Sequence, residues 1–87
     1  MPIVYIPPAL RPLTGGQERV AVSAGSVREA IAELESQFPG VEARLVVDGD
    51  IRPGMAIAVD GNISSLGMLQ KLTPDCEVHF LPAVGGG

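Results

Sequence analysis

Tryptophan is absent from this chain, and tyrosine and phenylalanine together supply only three residues. A core without large rings must be built from Val, Ile, Leu and Ala, and the hydrophobic share of 46% allows one. The single cysteine, Cys76, excludes an internal disulfide and suits a reducing compartment. The single histidine, His79, leaves general acid–base chemistry with one usual candidate. Basic residues are scarce, six against ten acidic ones, and the net charge of −4 disfavours nucleic acid or an anionic membrane as the main partner. No apolar run approaches the roughly 18–20 residues of a membrane span. The opening Met1-Pro2-Ile3 has no basic region of the kind that starts a signal peptide. Eighty-seven residues make one domain, which buries roughly 60–65% of its unfolded surface and has no room for a deep enzyme cleft. These absences together predict a small cytoplasmic domain.

What is present reads as an alternation of short strands around one helix. Ile3-Val4-Tyr5-Ile6 is a β-branched and aromatic run stopped by Pro7-Pro8, a first strand. Pro7 to Gly16, with three prolines, reads as a loop, and Gln17 to Ala24 as the second strand of a hairpin. Ser26 and Glu29 stand at the spacing of a capping box. Val27, Ile31, Leu34 and Phe38 follow at i, i+4, i+7 and i+11, with Ala30 filling one helical stripe, and Pro39-Gly40 ends it. Val41 to Val47 reads as a short helical turn, and Asp48-Gly49-Asp50 and Arg52-Pro53-Gly54 as turns. Met55 to Val59 is a further strand, turned by Asp60-Gly61-Asn62. Ser64 to Lys71 fits either a short strand or a helical turn, and Thr73-Pro74-Asp75 turns into a last strand, Cys76 to Leu81. The ββ-α-ββ order predicts an α+β fold, a mixed sheet with the helix across one face.

Few side chains offer chemistry. His79 is a lone strand histidine, and no serine or cysteine stands at the spacing of a catalytic partner, so it reads as a surface residue. Cys76 reads as a small buried hydrophobe rather than a redox thiol. Glu29 and Glu33, at i and i+4, read as solvated charge. Asp48 and Asp50 resemble the start of a calcium loop, but Val59 stands where its twelfth-position acid belongs. Gly15-Gly16 lacks the lysine and spacing of a phosphate-binding loop. No metal or nucleotide motif results. What remains is the ending, Gly85-Gly86-Gly87, directly after Phe80-Leu81-Pro82-Ala83-Val84. Glycines without Cβ enter channels too narrow for side chains, and their ordering entropy predicts that Val84 to Gly87 stay loose. The one chemical group there is the carboxylate of Gly87.

Strand order, final hydrophobic strand and diglycine ending together resemble the ubiquitin-like sulfur carriers of the ThiS/MoaD type, over essentially the whole chain. Asp75 matches their acidic turn. Ile6-Pro7, Leu10-Arg11-Pro12 and Thr14-Gly15-Gly16-Gln17, with the Leu81-Pro82-Ala83-Val84 tail, are similar to the sulfur carriers of actinobacterial cysteine biosynthesis. Gly85 replaces an alanine of that group, and Asp48 to Gly54 looks shorter than its counterpart. The resemblance implies a β-grasp domain over residues 1–82, with a four- to five-stranded sheet and one main helix, and a tail over 83–87. It implies a carrier, not an enzyme. Because an α-carboxyl is ionised and unreactive at neutral pH, an E1-like enzyme of the MoeB/ThiF type would consume ATP to adenylate Gly87. A sulfur donor would then convert it to a thiocarboxylate. No cofactor is implied on the chain itself. Ala83, Val84, Gly85 and Gly86 would enter the partner's active site, while alternation along the last strand puts Leu81 and His79 outward as docking residues. The implied acceptor is a PLP-dependent cysteine synthase, with a JAB-type metalloprotease as a further partner. Alternatives are the small subunit of molybdopterin synthase, a sulfur donor for thiamine or another metabolite, and a ubiquitin-like binding module that is never activated.

Overall fold

The computed structural model of the chain describes residues 1–82. Strand β1 (Ile3–Tyr5) is followed by a 3-10 helix over Pro8–Thr14 and by β2 (Arg19–Ala21). Helices α1 (Val27–Gln37) and α2 (Val41–Leu45) come next, then β3 (Val46–Val47), β4 (Asp50–Ile51), β5 (Met55–Val59) and β6 (Asn62–Ile63). A second 3-10 turn, Gly67–Leu69, precedes β7 (Glu77–Pro82). Five strands form one mixed sheet in the order β2-β1-β7-β5-β6, and β3 and β4 pair as a separate ribbon. β7 lies at the centre, parallel to β1 and antiparallel to β5. This is the α+β sheet with one main helix that the strand order predicts.

Helix α1 forms where its sequence signals place it. Ser26 Oγ accepts from the Glu29 amide at 3.2 Å, and Glu29 Oε1 accepts from the Gly25 amide at 2.8 Å. The box therefore closes one residue earlier than its usual form, in which the glutamate takes the N-cap amide. Val27, Ala30, Ile31 and Leu34 are fully buried against Val4, Val20, Ile57, Val78 and Phe80 of the sheet. Phe38 ends the helix as its C-cap and is half-buried at the margin of this core.

The loop expected over Pro7 to Gly16 is instead largely helical. A proline φ near −65° falls within the 3-10 range, and Pro8 opens the first turn, where a missing amide hydrogen costs nothing. Thr14, fully buried, closes the segment: its hydroxyl lies 3.2 Å from the Arg11 carbonyl and 3.0 Å from that of Gln17, one proton serving two acceptors. The second strand is shorter than expected. The Asp48-Gly49 and Asp60-Gly61 turns connect true hairpins, with all four residues at positive φ, as tight hairpin turns require. Ser64 to Lys71 resolves to the 3-10 turn at Gly67–Leu69, flanked by Lys71 bridging to Ser26.

Candidate functional site

The sheet has one covered and one open face, and alternation assigns each β7 side chain. Val78 and Phe80 are buried towards α1, while Glu77, His79 and Leu81 point to the open side. Leu81 keeps 38% of its surface exposed, so the register expected from the sequence is the one observed. Registers on both sides of β7 assemble a cross-strand row on the open face: Arg19, Tyr5, His79, Ala58 and Ile63. Leu81 lies one row further towards the tail, opposite Ala56. Ala56 and Ala58 keep the β5 side of this face low, and Ile63 at its edge is 64% exposed.

His79 is more engaged than a surface residue. Its ring stacks on Tyr5, with centroids 4.2 Å apart and planes 11° from parallel, and it is half-buried. Sequence reasoning missed this pair because it depends on the parallel pairing of the first and last strands, which no local pattern encodes. Cys76 is 1% exposed, beneath the turn into β7, in keeping with a packing role. Glu29 is held as a cap and Asp50 accepts from the neighbouring Ile51 amide. Among the described residues no cluster of His, Cys, Asp or Glu comes together to hold a metal. Asp75, the expected acidic turn, adopts positive φ and pairs with the N-terminal ammonium of Met1 at 3.0 Å.

β7 carries the chain to Pro82, which pairs with Met55 at the start of β5. Beside that exit lies a surface depression lined by Pro7, Ala9, Leu10, Arg44, Arg52 and Met55. Sequence reading passed over both arginines, one in a short helix and one in a turn. The expected tail residues Ala83, Val84, Gly85 and Gly86, and the reactive Gly87, lie outside the described residues.

This sheet, helix and open face define a ubiquitin-like β-grasp domain. The ThiS family model matches residues 4–87. The chain belongs to the ThiS family. It is 36% identical over 89 aligned positions to the sulfur carrier protein CysO of Mycobacterium tuberculosis, covering 97% of this chain and 96% of that one. The crystal structure of M. tuberculosis CysO superposes with a TM-score of 0.88 at 31% identity, covering 97% of this chain and all of that one, 100%. The CysO of the Amycolatopsis orientalis BexX/CysO complex matches with a TM-score of 0.90 at 31% identity over 100% of both chains. The small archaeal modifier protein SAMP1 of Haloferax volcanii, at 21% identity and TM-score 0.71 over 99% of this chain and 98% of that one, shares the fold. The chain is thus a homologue of known sulfur carriers. No helix among the described residues is long and apolar enough to cross a membrane.

Proposed function

We propose that this protein is a cytoplasmic sulfur carrier, a β-grasp body over residues 1–82 with a working tail over 83–87, whose reactive group is the Gly87 carboxylate. The carrying observation is a family match that runs through the terminal glycines to residue 87. The carboxylate attacks the α-phosphorus of ATP on an E1-like enzyme, pyrophosphate leaves, and an acyl-adenylate forms. A hydrosulfide-equivalent donor then displaces AMP to leave the thiocarboxylate. The chain contributes the acyl group and the docking surface, and the partner contributes the catalytic machinery and the nucleotide. It binds no cofactor of its own. Ala83 to Gly86 thread the channel while Leu81 and His79 meet its outer surface. From Pro82 the tail spans roughly 17 Å when extended, at about 3.3–3.6 Å per residue.

The likeness to CysO favours cysteine biosynthesis over molybdopterin or thiamine assembly as the pathway, with a PLP-dependent cysteine synthase as acceptor and a JAB-type metalloprotease acting afterwards. A CysO crystallised in complex with BexX supports carriage to a separate partner protein. Incubation with the cognate E1-like enzyme, ATP and a sulfur donor tests the reading. The intact chain is expected to gain the mass of one oxygen-to-sulfur exchange, mapped to Gly87, and Cys76→Ser is expected to retain it. Sulfur found on Cys76 as a persulfide, with Gly87 unchanged, would overturn the carrier chemistry.

A further inference from the structure

Arg44 and Arg52 are two of only six basic residues in a chain of net charge −4, yet both line the depression beside the tail's exit. Both are exposed. Among the described residues neither guanidinium has a carboxylate within ion-pair distance, the one pair there being Met1 with Asp75. Arg52 Nη1 makes a single long hydrogen bond to the Ala43 carbonyl at 3.3 Å, which fixes its direction without neutralising it. The fold holds the two together: Arg44 lies in the last turn of α2, and the Arg52 amide donates to the Leu45 carbonyl, so the turn after β4 is tied to that helix end. Met55, which lines the same depression, is the register partner of Pro82. At the far end of the sheet Asp60 and Glu77 stand together at the start of β7, while Asp75 there is paired with the Met1 ammonium.

We propose that Arg44 and Arg52 form a basic collar at the root of the tail, and that it engages carboxylates on the rim of the channel into which the tail-processing enzyme takes residues 83–87. This rests on the sulfur-carrier reading and names the chemistry of the partner surface that reading requires. Charge complementarity favours this occupant, because two exposed guanidiniums without a carboxylate partner among the described residues select a carboxylate-bearing surface. Guanidinium groups also suit the role, presenting a planar fork to carboxylates. The collar turns the domain so that its C-terminal end leads into the encounter.

The test uses the full chain and the E1-like enzyme that thiocarboxylates it, comparing wild type with Arg44→Gln and with Arg44→Gln/Arg52→Gln. Two exposed charge contacts predict a roughly two- to thirty-fold weaker Kd for the double variant at low salt, mostly through slower association. The difference is expected to shrink as salt screens the pairs. The thermal midpoint is expected to hold, and the single variant, which loses no hydrogen bond, guards against misfolding. The same comparison on a chain ending in a carboxamide decides whether the arginines serve the chain's own terminus. Persistence of the arginine effect there supports the collar, and its disappearance assigns the arginines to the Gly87 carboxylate and overturns the proposal. Binding unchanged by the substitutions, while wild type still gains its thiocarboxylate, overturns the collar alone. If no E1-like enzyme modifies the wild-type chain, the carrier reading falls and the collar with it.

Discussion

One sheet presents two faces that the same strands build from alternate residues, and they follow different rules. Under α1 the pairs are large: Phe80 lies opposite Ile57, both buried, and Val78 opposite the partly buried Val59, with Val4 and Val20 completing the floor. On the open side Ala58 faces His79 and Ala56 faces Leu81. The covered face needs volume because a helix must interdigitate with it. The open face is kept low along β5, leaving Leu81 uncovered near the exit of the tail and a stacked ring pair behind it. The contrast separates stability from recognition, and substitutions on either side of β7 should separate them too.

The largest effect is expected on the covered side. Leu34 is fully buried at the centre of the α1 stripe. Leu34→Ala should cost about 2–5 kcal/mol through lost transfer energy and the cavity left behind. Denaturant unfolding with an unchanged slope would read this. A loss below about 1 kcal/mol would mean that the helix does not close the core in solution.

Leu81→Asp is the matching substitution across the strand. With Leu81 on the open face, the thermal midpoint is expected to move little, while binding to the E1-like enzyme weakens by more than about 1 kcal/mol, the loss typical of an apolar anchor. A large loss of stability would show that the leucine is core after all and the register displaced by one. Intact binding with an intact fold would move the docking surface away from this end of β7.

How much of this was legible follows from the distance over which each feature is decided. Helix α1 is decided within a dozen residues: Ser26 and Glu29 satisfy amides at its start and Val27, Ile31 and Leu34 mark one face, so its bounds were readable. The Asp-Gly hairpin turns were readable for the same reason. The alternation of Val78, His79, Phe80 and Leu81 also follows from local periodicity, and it placed Leu81 outward. The Pro7 to Gly16 segment was misread because proline signals a break in α-helix and extended strand alike, and it does not distinguish a loop from a 3-10 helix. The remaining misses are non-local. Nothing in the chemistry of Tyr5 predicts His79 as its neighbour until β1 and β7 pair in parallel. Arg44 and Arg52 become one feature only when α2 and the turn after β4 meet beside Pro82.

The smallest expected effect lies in the ring stack, where two rings pair on a face otherwise kept low by Ala56 and Ala58. Tyr5 and His79 are direct neighbours on parallel strands, and their nearly parallel, stacked rings with centroids 4.2 Å apart form a packing pair rather than two solvated side chains. Cross-strand and aromatic pairs contribute roughly 0.5–1 kcal/mol beyond the area they bury. A double-mutant cycle with Tyr5→Leu and His79→Leu isolates that term, since leucine keeps apolar bulk at each position. The expected outcome is a coupling of about 0.5 kcal/mol or more in unfolding free energy. Each single variant should also weaken E1 binding less than Leu81→Asp does, because the stack would set the shape of the face without anchoring it. A coupling indistinguishable from zero would mean the rings are adjacent only by register, and the open face would then be uniformly a recognition surface with no structural share.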